Sequence, residues 1–203
     1  MKTGSSPPKS GSTGTQLVFW FALALAVLGI LWIRQGPRAS QGGKHPAVGR
    51  PVPDFSLVGL TGGATEVKSS DLQEKVALIN FWGVWCPPCR IELPHIAALR
   101  RDFQPRDDFR LLAVSCEGGN ETLAQLREQT RQYLSSKKLD LPTYADPDGS
   151  ARQAVGMALG ELDIPGYPTT VLLDRDGIVR GVWVGYESGT ELDMRREIEA
   201  QLK

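Results

Sequence analysis

The chain has 203 residues, with 23 Lys and Arg against 23 Asp and Glu, so its formal net charge is zero. This balance hides a split, because residues 1–50 hold six basic residues and no acidic one, and 51–203 hold 17 basic and 23 acidic residues. A basic tail beside an acidic body excludes one evenly mixed globule. The acidic body also excludes nucleic acid as the main partner, because phosphate binding requires a basic surface. Three cysteines are too few for a disulfide-stapled scaffold.

Three consecutive segments are predicted ahead of the body. Residues 1–16, rich in Ser, Thr, Gly and Pro, predict a flexible basic leader. Residues 17–33 carry no charge and as a helix would rise about 25 Å, which is at the short end of what spans a bilayer core. We expect a transmembrane anchor or uncleaved signal there, with a cleaved signal peptide and a soluble core helix as alternatives. Residues 34–48, rich in Gly and Pro, predict a linker.

The orientation of the predicted anchor stays open at this point. Lys2 and Lys9 precede the apolar run, whereas Arg34, Arg38 and Lys44 follow it. The excess of Lys and Arg that marks the cytoplasmic side is therefore nearly equal at the two ends. Long domains can be translocated despite such charges, so the count does not forbid a body outside the cytoplasm.

The body, residues 49–203, alternates strand and helix patterns as an α/β domain does. The predicted elements are, in chain order, a buried strand at 76–81, a helix at 87–103, a strand at 111–115, helices at 120–136 and 150–159, a hairpin of strands at 169–173 and 178–184 around an Asp-Gly turn, and a helix at 190–202 capped by Thr190. This order predicts a central mixed β-sheet with helices on both faces.

A Cys-Pro-Pro-Cys motif at 86–89 is the most informative segment. It follows a buried strand and opens a helix, where unpaired N–H groups and the helix dipole lower the pKa of a cysteine. Two intervening residues bring the sulfurs close enough to bridge. The pattern predicts a redox pair in which Cys86 is the exposed nucleophile and Cys89 is the buried thiol that resolves the mixed disulfide.

Two other interpretations of the cysteine pair remain open. Half of a zinc site needs two further ligands, and besides the pair the chain holds only Cys116, His45 and His95 as Cys or His candidates. Two buried structural cysteines are the other possibility. Cys116 follows a buried strand and is most simply a small core residue, with a third redox partner as the alternative. His95 is interpreted as a helix-surface or packing residue.

From about Gly49 to Lys203 the sequence resembles the thioredoxin fold and, within it, the TlpA/ResA-like membrane-anchored thiol-disulfide oxidoreductases of bacteria. The resemblance is carried by VPDFSL at 52–57, by VALINFWGVWCPPCRIELP at 76–94 and by YPTTVLLDRDGIV at 167–179. Separated motifs in the right order make the resemblance specific. It implies a thioredoxin-like fold for the body, which the predicted transmembrane helix precedes.

The resemblance implies roles for further residues. Pro168 matches the family's cis-proline, whose backbone pairs with an extended substrate, and Tyr167 would lie against the disulfide. Trp85 would shield the disulfide from water, and Trp85, Tyr167 and Pro168 together would contact the substrate. Glu117 matches an acidic residue that some members place near the cysteines, where a buried carboxylate would shuttle protons for Cys89. A trans turn proline, a structural tryptophan and a solvated loop glutamate are the alternatives.

The activity implied is that of a protein-disulfide oxidoreductase without a cofactor, on the extracytoplasmic (periplasmic) side of the bacterial cytoplasmic membrane. Its partners would be exported proteins with cysteines or disulfides, apocytochromes c among them, and a membrane electron donor that recharges the pair. A copper-binding assembly factor is one alternative, because thiolates select Cu(I), although few further ligands lie near the motif. A peroxidase-like redoxin is the other, because VPDFSL also occurs in peroxiredoxins, although the adjacent cysteine pair argues against it.

Overall fold

The computed structural model describes Val18, residues 20–25 and residues 42–203. Val18 and residues 20–25 are helical. The predicted leader, the rest of the predicted anchor and the first part of the predicted linker lie outside the described residues. None of the helices formed by the described residues has the length and apolar character needed to cross a membrane. Residues 42–203 belong to one compact unit.

Seven strands and four α-helices form residues 42–203, together with a short 3-10 turn at Ser69–Leu72. The strands are β1 (Ser56–Thr61), β2 (Val67–Lys68), β3 (Val76–Trp82), β4 (Phe109–Ser115), β5 (Thr143–Ala145), β6 (Thr169–Leu173) and β7 (Val179–Val184). The helices of this unit are α1 (Pro87–Phe103), α2 (Leu123–Lys137), α3 (Ser150–Leu159) and α4 (Thr190–Gln201).

The strands form one mixed sheet in the order β2-β1-β5-β4-β3-β6-β7. The central strands β3, β4 and β5 are parallel, and the outer pairings are antiparallel. Every residue of β3 is buried because both faces of the sheet are covered. Alternate β3 residues enter different apolar clusters, one shared with α1 and α4 and the other with α3. The predicted α/β architecture, with helices on both faces, is confirmed.

Two local features differ from the sequence prediction. Helix α4 is capped by Gly189, which has a positive φ, and Thr190 is its first helical residue. The Thr190 hydroxyl instead accepts the Glu187 N–H at 3.3 Å, across the turn that precedes the helix. Strands β1, β2 and β5 were not among the predicted strands, and β2 and β5 have only two and three residues, which is too short for a measurable periodicity.

Residues 42–48, which the sequence placed in the linker, pack against the body. The Gly42 carbonyl accepts the Val182 N–H at 3.2 Å, and Ala47 is 1% exposed. Just beyond them, the Gly49 N–H donates to the Val179 carbonyl at 2.9 Å. This segment therefore lies along β7, and residues 42–48 belong to the body.

Candidate functional site

The Cys-Pro-Pro-Cys motif lies where β3 ends and α1 begins. Cys86 is the N-cap of α1, Pro87 is its first residue, and the Cys89 N–H donates to the Cys86 Sγ at 3.3 Å. The two sulfurs form a disulfide. The first turn of α1, which the structure describes in full, carries no acidic residue. The positive end of the helix dipole therefore faces the sulfurs without a competing charge, and it favours a thiolate at Cys86 when the disulfide opens.

Both cysteines are buried, Cys86 at 3% relative exposure and Cys89 at 0%. The prediction of an exposed Cys86 is therefore wrong for the disulfide form, and that of a buried Cys89 is confirmed. The Cys86 sulfur is turned back over the first turn of α1, and it belongs to the apolar cluster that contains Trp82 and Leu93. Cys86 still lies nearer the surface than Cys89.

The Trp85 indole is held in a narrow slot beside the disulfide. Its Nε1 donates to the Cys116 carbonyl at 3.1 Å. A Cβ on Gly118 would lie 2.5 Å from the ring, and a Cβ on Gly83 would also clash with it, so both positions require glycine. Trp85 is 43% exposed, and its ring therefore presents an apolar surface to solvent from a fixed position.

Tyr167 and Pro168 directly precede β6, and Tyr167 lies against Trp85. The Tyr167–Pro168 peptide bond is cis, as predicted. The ring centroids of Tyr167 and Trp85 are 5.1 Å apart with the rings nearly perpendicular, which is a favourable edge contact. Tyr167 also packs against the apolar cluster that contains both cysteines. The two aromatic residues predicted to meet substrate are thus in contact with each other.

Glu92 is a buried carboxyl group that the sequence analysis did not single out. It lies one helical turn after Cys89 and is 1% exposed. Its Oε2 accepts from Asn80 Nδ2 at 2.8 Å, whereas its Oε1 has no hydrogen-bond partner. Burial raises the pKa of Glu92 to about 8, outweighing the hydrogen bonds from Asn80 and Thr170 that favour the charged form. Glu92 is therefore mainly a neutral acid at pH 7.

The sequence does contain a signal for the burial of Glu92. Cys89, Leu93, Ile96 and Leu99 recur at helical spacing and form the buried face of α1. Position 92 falls on that same face, so a charged residue type there is exceptional. A buried carboxyl beside a redox pair is a candidate acid–base group because its pKa is displaced towards neutrality.

Glu117, predicted to be a buried proton carrier, has a different environment. It follows Cys116 beyond the end of β4, and its side chain is 31% exposed. The Arg152 Nη1 donates to its Oε1 at 3.0 Å. The buried carboxyl next to the cysteine pair is thus Glu92, and Glu117 is a partly exposed member of an ion pair. A proton-transfer role for Glu117 stays a prediction.

Cys116 is 1% exposed and belongs to the apolar cluster that contains residues of α3, which confirms the prediction of a core residue. Burial raises the pKa of its thiol to about 12. A nucleophilic role, as a third redox partner or a lone peroxidatic cysteine, is therefore not favoured. The His95 ring stacks on Tyr186 with centroids 5.7 Å apart, which is a packing role. The described residues contain no cluster of three or more Cys, His, Asp or Glu suited to a metal ion.

Comparisons with known proteins agree with this site. Residues 48–182 match the AhpC/TSA family. The chain is similar to thioredoxin-like protein YneN of Bacillus subtilis, with 30% identity over 152 residues that cover 74% of this chain and 79% of YneN. It is also similar to thiol-disulfide oxidoreductase ResA of Geobacillus thermodenitrificans, with 29% identity over 154 residues that cover 76% and 78% of the two chains.

A solved structure extends the agreement to the fold. A thiol:disulfide interchange protein of the thioredoxin family from Chlorobium tepidum matches with a TM-score of 0.59 at 27% identity, covering 76% of this chain and 97% of the other. The sheet, the disulfide at the start of α1 and these relatives together assign the fold and the reaction. The chain belongs to the AhpC/TSA family and is a thioredoxin-like, ResA-like thiol-disulfide oxidoreductase.

Proposed function

We propose that the chain is an extracytoplasmic oxidoreductase, anchored in the bacterial cytoplasmic membrane with its body on the periplasmic side, that exchanges disulfides with exported proteins. The observation that carries the proposal is a disulfide at a helix start, one turn away from a buried carboxylic acid. The helix start favours the attacking thiolate of Cys86, and Glu92 donates a proton to Cys89 or accepts one from it.

The exchange proceeds in two steps. In the reduced enzyme the Cys86 thiolate attacks one sulfur of a substrate disulfide, which breaks that bond and forms a mixed disulfide. Cys89 then loses its proton and attacks the Cys86 sulfur, which releases the second substrate thiol. Two electrons pass from the enzyme dithiol to the substrate, and the enzyme is left with the disulfide of the present structure.

Glu92 matters most when this disulfide is reopened. A thiolate of the membrane electron donor attacks Cys86, and the Cys89 sulfur is the leaving group. Glu92 is mainly protonated at pH 7 and can give its proton to the departing sulfur, so that no uncompensated thiolate remains in the core. In the opposite direction the carboxylate form of Glu92 accepts the proton of Cys89.

The surface beside the disulfide suits an extended protein substrate. Within residues 42–203 the Tyr167 peptide N–H and carbonyl have no backbone hydrogen-bond partner, whereas the Pro168 carbonyl accepts the Gly185 N–H at 2.8 Å. A substrate segment can therefore pair with the peptide group of Tyr167, as an added strand does. Trp85 provides an apolar contact beside this pairing position. Exported proteins with a cysteine pair, apocytochromes c among them, are the proposed substrates.

The proposed location rests on the N-terminal segment. Residues 17–33 carry no charge. In the described part of that run Val18, Phe21 and Leu25 are 60–72% exposed, although apolar residues of this size favour burial. A lipid environment would cover them. The periplasmic side is proposed because disulfide chemistry persists in oxidising compartments. Protease added to spheroplasts should degrade the body, and full protection of the body until lysis would contradict this orientation.

The activity is tested with the full-length protein in detergent, with dithiothreitol as the reductant and oxidised insulin as the substrate. The wild type should accelerate insulin reduction, and Cys86→Ser should abolish the acceleration. An inactive wild type, or full activity of Cys86→Ser, would overturn the proposed function. An oxidised peptide that contains Cys-x-x-Cys-His tests the apocytochrome substrate class against insulin.

Trapping distinguishes the two cysteines. Cys89→Ser cannot resolve the mixed disulfide and should accumulate a covalent complex with the substrate, visible as a reducible band on a gel. Cys86→Ser is the matched control and should trap none. Equal trapping by both variants would show that the assigned order of attack is incorrect.

A further inference from the structure

Arg152 of α3 is the centre of a polar cluster that includes Glu117 and Asp146. The Arg152 Nη1 donates to Glu117 Oε1 at 3.0 Å, and its Nε is 3.4 Å from Asp146 Oδ2. The Arg152 side chain is only 16% exposed, and that of Asp146 is 1% exposed. A guanidinium held by two carboxylates in so closed a setting has little freedom to move.

The same guanidinium also reaches the substrate side of the molecule. The Tyr167 hydroxyl lies beside the Arg152 guanidinium and the Cys116 thiol, and both groups influence its pKa. Burial raises the pKa of Tyr167, so the hydroxyl remains protonated in the physiological range. A phenol ring has few rotatable bonds, and fixing its hydroxyl therefore fixes the ring.

These contacts form a closed ring of residues. Arg152 lies beside the Tyr167 hydroxyl, the Tyr167 ring meets the Trp85 ring edge-on, and the Trp85 Nε1 donates to the Cys116 carbonyl. Glu117, the next residue along the chain, returns to Arg152. The Arg152 side chain of α3 thereby connects loops that are distant in sequence.

We propose that Arg152 is a positioning residue for protein substrates, which holds Tyr167 and Trp85 in the orientation that receives an extended substrate segment. The inference rests on the proposed function, and it gives Glu117 a role as the partner that orients Arg152. A protein substrate lies along the peptide group and ring of Tyr167, whereas a small disulfide needs access only to the sulfurs. Loss of Arg152 should therefore weaken the binding of protein substrates more than it slows the chemical steps.

The fold should tolerate the loss of this side chain. Asp146 accepts the backbone N–H groups of Ala151 at 3.0 Å and of Arg152 at 2.9 Å, and those bonds do not depend on the guanidinium. Glu117 is partly exposed and can be hydrated. Arg152→Met keeps the length and the apolar packing of the stem while removing the charge-assisted hydrogen bonds.

The test compares the KM and kcat for oxidised insulin with those for bis(2-hydroxyethyl) disulfide, in full-length protein. Arg152→Met should raise the KM for insulin about tenfold, with a much smaller effect on its kcat and on the small disulfide. Arg152→Lys keeps a charge but not the planar fork, so its KM for insulin should lie between those of the wild type and Arg152→Met. Arg180→Met is the matched control, because Arg180 is paired with Asp174 at the opposite end of β6, and it should resemble the wild type.

A second variant keeps the inference testable if Arg152→Met is unstable. Tyr167→Phe keeps the ring and removes only the hydroxyl that Arg152 holds, and it should raise the KM for insulin in the same direction. Because Arg152 acts through Tyr167, the double variant should be no worse than the poorer single one. An unchanged KM in Tyr167→Phe, or fully additive effects, would overturn the inference. A wild type that reduces neither substrate would instead overturn the proposed function.

Discussion

Replacement of Glu92 by Gln should change how the stability of the oxidised protein depends on pH. The Glu92 carboxyl has a pKa of about 8 in the folded chain because it is buried, against about 4.3 in an unfolded chain. Between these values the folded chain keeps a proton that the unfolded chain has released. Stability contributed by the neutral acid is therefore complete below the unfolded pKa and is lost as the pH rises towards 8.

The size of the effect follows from the same two values. Each pH unit inside the window costs about 1.4 kcal/mol, so the free energy of unfolding should fall by about 2.5 kcal/mol between pH 5.5 and pH 7.5. No discount for solvent is needed, because Glu92 is 1% exposed. Glu92→Gln has no proton to lose and should not show this part of the decline.

Urea unfolding of the oxidised full-length protein in detergent measures the difference at pH 5.5, 6.5 and 7.5. The unfolding free energy of Glu92→Gln minus that of the wild type should become more positive as the pH rises. Glu199→Gln is the control, because Glu199 is an exposed glutamate of α4, and its curve should stay parallel to that of the wild type. A gap for Glu92→Gln that is constant within about 0.5 kcal/mol would refute the burial argument.

Three further predictions test separate parts of the site. Iodoacetamide should modify Cys116 at least about a hundredfold more slowly than Cys86 in the reduced native protein, because burial disfavours the Cys116 thiolate. Mass spectrometry of both sites measures the ratio of the two rates, and comparable rates would contradict this prediction. Gly118→Ala should lower stability by about 1–3 kcal/mol and shift the tryptophan fluorescence, because its Cβ would lie 2.5 Å from the Trp85 ring. Gly119→Ala, whose Cβ would meet nothing closer than Glu121 at 3.7 Å, should do neither. Glu191→Gln should shift the pH dependence of stability to slightly lower pH, since the Glu191 charge helps to raise the pKa of Glu92. A shift to higher pH would show that the assigned coupling between Glu191 and Glu92 is incorrect.

The parts of the fold that local sequence encodes could be predicted closely. Strand β3 is a continuous apolar run, and a pair of prolines begins α1, so the predicted helix at 87–103 coincides with the observed one. The turn at 174–177 was predictable because its Asp-Gly pair suits a hairpin, and Gly177 has the positive φ expected of it. Residues 42–48 were not, because their pairing with β7 joins segments that are far apart in the chain.

The same distinction between local motifs and long-range contacts applies to the candidate site. The cysteine pair and the cis-proline were predictable because each is encoded by a motif of a few residues. The contact of Arg152 with Glu117 joins residues 35 positions apart, and no periodicity reports it. The depth of Glu92 depends on the packing of α1 against the sheet and α4, although its place on the apolar face of α1 was visible in the sequence.

The two glutamates near the motif show how environment separates groups of identical chemistry. Glu92 is enclosed by apolar residues and an amide, so it favours the neutral form and can gain or lose a proton during the exchange. Glu117 is partly exposed and is paired with a guanidinium, which suits a group that holds a partner in place. A residue that must change protonation is best placed next to Cys89, where a permanent charge would oppose the leaving thiolate. A residue that must hold a loop in place is best placed in an ion pair near the surface. These are the positions in which the fold places Glu92 and Glu117.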